Sequence, residues 1–168
     1  MNLWERIASD IHLMVRRPAR LQFAALCYRW KKKKPELEIL LITSRDTGRW
    51  VIPKGWPMAG KKAHTVAERE AFEEAGVSGK ARREPLGFYT YMKGLNSGLK
   101  VSCKVQVHAV QVDDMLKSYP EKGSRTLEWV SCSEAATRVQ EPELKKLLLD
   151  FEHDITERTA PKKRAMQA

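Results

Sequence analysis

Residues 69–77 read REAFEEAGV and crowd three carboxylates, Glu70, Glu73 and Glu74, into a chain whose formal balance is +10. On a helix these positions stand at i, i+3 and i+4 and point to one side. Like charges so placed cost a few tenths of a kcal/mol per exposed pair, roughly, when water screens them. A divalent cation held between hard oxygen donors relieves the same repulsion. Arg69 lies four residues before Glu73 and is able to fix its rotamer by a forked hydrogen bond. From these residues alone, a solvated acidic face and a metal site both remain open.

The elements that position the carboxylates follow from the flanking sequence. Thr65 and Glu68 form a T-x-x-E pattern, which predicts a capping box and a helix over 66–75. Gly76 suits a left-handed helix end. Ala67, Ala71, Phe72 and Ala75 fall on the side away from the glutamates, an apolar face for a sheet. Before the helix, LQFAALCYRW and LEILLITSR read as two strands joined across the run Lys31–Lys34, and GRWVIPKGW as a short strand ended by Pro53. After it, LGFYTYM, KVSCKVQVHAV and SRTLEWVS read as strands. In the second of these, the alternation slips by one at Val110 and Val112, which predicts a bulge near Ala109. SEAATRVQ and EPELKKLLLDFEHDI read as helices, with Pro142 in the first turn of the latter. Strands and helices in this order indicate a layered α/β or α+β fold.

At 168 residues the chain has the size of one ordinary domain, with 42% hydrophobic and 31% charged residues. Leu3, Trp4, Ile7, Ile11 and Met14 form a helical stripe, so residues 1–19 are expected to be an amphipathic helix that packs on the domain or on a partner subunit. A domain over 20–152 and a basic tail over 153–168, carrying PKKR, complete the expected organisation. Apolar runs such as Ile39–Ile42 and Leu147–Leu149 are too short to cross a bilayer. Cys27, Cys103 and Cys132 are odd in number and widely spaced, which suits buried reduced thiols better than disulfides or a zinc site. The N-terminus lacks a signal-peptide core, and Glu5 and Asp10 argue against a transit peptide, so the expected compartment is the cytoplasm. The excess of 31 basic over 21 acidic residues favours polyanionic partners of any kind.

From Gly55 to Val77 the sequence is GWPMAGKKAHTVAEREAFEEAGV, which resembles the signature of the Nudix hydrolases at Gly55, Arg69, Glu70, Glu73, Glu74, Gly76 and Val77. Lys61 stands where that family usually carries a glutamate. The resemblance implies a Nudix fold, an α/β/α sandwich around a mixed sheet, over most of the chain. It implies a magnesium- or manganese-dependent hydrolase of a diphosphate linked to another moiety. Glu73 and Glu74 would be the main metal ligands, Glu70 a third ligand or the base, the Lys54 carbonyl a further ligand, and Arg69 the group that orients the carboxylates. A further acid outside the signature is expected among Asp113, Asp114 and Glu121.

WVIPKGW resembles Nudix enzymes that cut diadenosine polyphosphates, and TSRDTGRWVIPKG, YPEKGSRTLEWVSCSEA and EPELKKLL resemble diphosphoinositol polyphosphate phosphohydrolases. On that likeness Arg20, Arg45, Lys54 and Lys104 are expected phosphate contacts, and the partner a small-molecule polyphosphate rather than nucleic acid or membrane. Trp50, Tyr89 and Tyr91 are weaker candidates for stacking on a base, and neither His64 nor His108 is assigned a role. Two rival readings stand beside this one: hydrolysis of the 5′-triphosphate end of RNA, and a non-catalytic ligand-binding module, to which Lys61 points.

Overall fold

Aromatic and branched residues make β1 (Arg20–Trp30) and β2 (Leu37–Thr43) an antiparallel hairpin, with Tyr28 opposite Ile39 and the exposed lysine run at the turn. The computed structural model describes residues 18–159. The stripe Leu3–Met14 and the PKKR stretch lie outside the described residues. Two short strands follow, β3 (Trp50–Val51) against β2 and β4 (Lys54–Gly55) against β1. Helix α1 (Ala63–Ala75) leads into β5 (Val77–Ala81), then β6 (Gly87–Gly94), β7 (Lys100–Met115) and β8 (Leu127–Ser131). Two helices close the fold, α2 (Cys132–Arg138) and α3 (Pro142–Thr159). The last of these runs past residue 152, the expected end of the domain.

The eight strands form one mixed sheet whose central path is β3-β2-β1-β7-β5, with β1 and β7 parallel and the other pairs antiparallel. Two cores flank it. Ala25, Cys27, Leu40, Ile42 and Val110 pack with Ala67, Ala71 and Ala75 of α1 on one face. Leu26, Ile39, Leu41 and Val107 pack with Leu144, Leu148, Phe151 and Ile155 of α3 on the other. The fold is the α/β/α sandwich around a mixed sheet that the signature implies.

One expectation is corrected here, and one strand was missed. No bulge occurs at Ala109, because β1 and β7 stay in unbroken register from Arg20 and Cys103 to Tyr28 and Gln111. The alternation slips there because both faces of the sheet are covered: Ala109 belongs to the core under α3 and Val110 to the core under α1. The register shift of β7 lies farther on, where Ser78 pairs with Asp114 but Gly79 with Val112. The strand β5 itself was not legible, since VSGKA carries one branched residue, Val77, and no aromatic one, and its pairing with β7 makes it a strand.

Candidate active site

Helix α1 begins at Ala63, earlier than the capping pattern predicts, and its N-cap residue Lys62 makes no side-chain cap bond. Thr65 therefore lies inside the first turn. Glu68 does not reach back to it; its Oε1 accepts the Ala81 N–H at 2.8 Å and ties α1 to the end of β5. That long-range bond satisfies a strand donor that a local capping box would leave without this partner. At the other end Gly76 adopts φ 68° and its N–H reaches the carbonyls of Ala71 and Phe72, as a left-handed helix end requires. The Tyr119 ring occupies the space beside Gly76, 2.4 Å from where a Cβ would stand.

The three glutamates of α1 prove unlike one another. Glu73 is turned outward and bound by Arg69 Nε at 2.5 Å, the pairing their spacing suggests. Glu74 lies on the rim of the buried face at 9% exposure: its Oε2 accepts the Lys54 N–H at 3.1 Å and its Oε1 the Arg125 Nη2 at 2.6 Å. Glu70 presses on β4, where a Cβ on Gly55 would stand 2.1 Å from its Oε1. Only glycine fits there. Among the described residues no donor reaches the Glu70 carboxylate, and burial, followed by the charges of Glu74, Glu73 and Glu121, pushes its pKa up to about 7.

The segment 116–126 between β7 and β8 brings in the rest. Leu116 N–H binds Gly76 O at 2.7 Å and Glu121 N–H binds Glu73 O at 3.0 Å, so the segment clasps the C-terminal end of α1. It thereby carries Glu121 to the cleft beside Glu70 and Glu74. Of the three acids expected outside the signature, Asp113 and Asp114 stay exposed on β7, with Asp114 Oδ1 accepting the Met115 N–H. Arg125 follows Glu121 on the same segment and binds Glu121 Oε2 at 3.2 Å and Thr43 O at 3.0 Å.

Cations share this cleft of about 230 Å³, whose walls include Lys54, Lys93, Arg45, Gln22 and Tyr91. Burial lowers the Lys54 ammonium to about 8, against the pull of Glu74 and with the push of Arg49 and Lys93. Tyr91 donates to Gln22 Oε1 at 2.7 Å, and its ring lies 5.3 Å from Lys54 Nζ. Arg49 is held beneath by Glu141 at 2.5 Å.

Four expected contacts fall elsewhere. Lys104 stacks on Phe88 at 4.7 Å and Arg20 stands at the start of β1, neither forming a wall of the cleft. Tyr89 is core, 1% exposed, and Trp50 lies beneath Arg138, so neither offers a face to a base. Lys61 is exposed before α1 and outside the cleft. His108 is buried, bonded to Arg82 O and Gln106. Lys93 was missed although the alternation of β6 places it on one side with Tyr91; Arg125 carried no local signal.

The donor set fits a hard divalent cation, because Glu70 offers a carboxylate without donors in a field of other carboxylates and the oxygens are of the type such ions prefer. Among the described residues, no three His, Cys, Asp or Glu side chains are already gathered round one point. Arg125 pairs with both Glu74 and Glu121.

The fold and cleft define a mixed-sheet domain in which carboxylates from a helix meet lysines and arginines in one cleft. The family model for the NUDIX domain matches residues 20–151, and the chain belongs to that family. It is 33% identical to Nudix hydrolase 13, mitochondrial, of Arabidopsis thaliana over 105 residues, 60% of this chain and 52% of that protein. To human diphosphoinositol polyphosphate phosphohydrolase 3-beta it is 30% identical over 120 residues, 70% of this chain and 67% of that one. The chain spans about half the length of the two Arabidopsis relatives that match it over 60% of its own length. A C. elegans Ap4A hydrolase binary complex shares the fold with a TM-score of 0.61 at 20% identity, over 83% of this chain and 99% of that one.

Proposed function

We propose that the protein is a divalent-metal-dependent pyrophosphohydrolase, acting in the cytoplasm, that cleaves a phosphoanhydride bond in diadenosine polyphosphates or diphosphoinositol polyphosphates by attack of water on phosphorus. The observation that carries this reading is the meeting of Glu70, Glu74 and Glu121 with Lys54, Lys93 and Arg45 in one cleft. Acids alone suit a cation and bases alone an anion; both together suit a metal-bound polyphosphate. Names among the relatives, diphosphoinositol polyphosphate phosphohydrolase and Ap4A hydrolase, support the substrate class. The three buried free cysteines suit a reducing compartment.

Glu70, Glu73, Glu74 and the Lys54 carbonyl would hold magnesium or manganese. Bound there, the ion eases deprotonation of water and neutralises charge growing on the phosphates. The chain's own residues do the rest. Lys54, drawn down in pKa by burial, gains from an anionic phosphate beside it, and Arg45 and Lys93 hold further phosphates. Glu70, the carboxylate that no protein donor engages among the described residues, serves as a third ligand or as the base that receives the proton of the attacking water. Arg69 keeps Glu73 in position.

The test is product identification with magnesium on a panel of diadenosine polyphosphates, diphosphoinositol polyphosphate, nucleoside triphosphates and triphosphate-ended RNA. Turnover of one of the first two classes is expected, reduced at least ~10²-fold in Glu70→Gln, the size of effect a general base supplies. The fold of that variant should be at least as stable as the parent at pH 7.5, since it no longer buries a carboxylate that ionises there. Turnover of the RNA alone would replace this reading, and binding without any turnover would make the protein a ligand-binding module.

A further inference from the structure

The walls of the cleft are balanced in charge, with four carboxylates against four cations. Two of those cations are already shared with acids: Glu121 binds Arg45 at 2.9 Å and Arg125 at 3.2 Å, and Glu74 binds Arg125 as well. Lys54 and Lys93 remain for a ligand. Beside Lys54 the wall is uncharged, since Gln22 is 3% exposed and its Oε1 accepts the Tyr91 hydroxyl at 2.7 Å. A ring that carries phosphates on every side brings more anions than such walls can pair, and each phosphate stripped of water without a partner weakens binding. A linear polyphosphate presents its phosphates in one row and leaves its end free to meet something other than charge.

Trp56 is placed to meet that end. Trp30, Trp50 and Trp129 are partly buried against the two cores, whereas Trp56 is 39% exposed on a wall of the cleft. It follows directly on Gly55, the residue that admits Glu70. Lys93 Nζ lies 6.0 Å from its ring centroid, so an exposed aromatic ring adjoins a cation suited to phosphate. An aromatic platform beside such a cation holds a base by stacking while the phosphates are paired.

We propose that Trp56 is the platform on which a nucleobase stacks, so that the site takes a linear polyphosphate ending in a base, a dinucleoside polyphosphate, in preference to a phosphorylated inositol ring. The proposal rests on the pyrophosphohydrolase reading given above and decides between its two substrate classes.

The experiment compares the full-length wild type, Trp56→Ala and Trp56→Phe with magnesium. Diadenosine tetraphosphate and a diphosphoinositol polyphosphate serve as substrates, and inorganic tripolyphosphate, which has no base, as a competing inhibitor. In the wild type, kcat/KM should be at least ~10-fold higher for the dinucleotide, the margin that stacking one base supplies. Trp56→Ala should raise KM for the dinucleotide by about 10-fold or more while kcat stays within a few-fold and the inhibition constant of tripolyphosphate is unchanged. Trp56→Phe, which keeps a ring, should recover most of the loss. A structural role for Trp56 would weaken tripolyphosphate and the dinucleotide alike. That result, an unchanged KM in Trp56→Ala, or a wild type that prefers the inositol substrate overturns the proposal and leaves the pyrophosphohydrolase reading standing. A wild type that turns over neither substrate overturns both.

Discussion

Glu70 and Gly55 are a single device, in which a missing side chain on β4 admits a carboxylate from α1. Alanine at 55 would put a methyl group where the Glu70 oxygens lie, and the carboxylate must swing away. Gly55→Ala is therefore expected to lower turnover at least ~10-fold, since misplacing a catalytic group by about 1 Å costs as much or more. Circular dichroism should show the fold retained; unchanged kcat would show that the position of Glu70 is immaterial. The same carboxylate makes a prediction about pH. Its folded pKa, about 7, lies above the ordinary value of 4.5. Unfolded chains ionise first, so the Glu70 contribution to stability is present below pH 4.5 and is lost as pH rises through about 7. In metal-free buffer, denaturant unfolding across that window should show a smaller decline for Glu70→Gln than for the wild type. A parallel decline in both would assign the burden to other groups.

At the scale of elements, the clasp of segment 116–126 on α1 decides which acid enters the cleft. Two backbone bonds and the Tyr119 ring against Gly76 hold it. Tyr119→Ala removes the ring, and the expected result is faster amide exchange at Glu121 and a several-fold loss of turnover, with the α1 amides still protected. Protection at Glu121 equal to the wild type would show that the backbone bonds suffice. This clasp also marks the limit of what was legible in the sequence. The periodicity of α1, the glycine at its end and the strand patterns of β1, β2 and β7 are local signals, and the structure carries them all. Glu68 misled because it serves a strand far away in sequence, and β5 was hidden because its partner strand rather than its composition makes it extended. The unequal surroundings of Glu70, Glu73 and Glu74 could not be read from their spacing, since β4 and the 116–126 segment create the difference.

For the molecule as a whole, the charge of +10 is divided between cations that are committed and cations that are not. Arg125, Arg49 and Arg69 are paired with carboxylates, and Lys31 is bound by Glu36 and Glu38. Lys54 and Lys93 line the cleft without a carboxylate ion pair among the described residues, so both are available to an arriving polyphosphate. An exposed field is screened over about 8 Å at physiological salt, whereas contacts inside the cleft are screened less. Salt should therefore act on encounter more than on chemistry. With a polyphosphate substrate, kcat/KM is expected to fall several-fold between about 50 and 500 mM salt while kcat changes little. Lys93→Ala should lower kcat/KM at low salt and flatten that dependence, because it removes a rim cation without touching the carboxylates. If kcat falls with salt as steeply as kcat/KM, the field acts on the reacting phosphates themselves, and Lys93 belongs with Lys54 in binding them through the transition state.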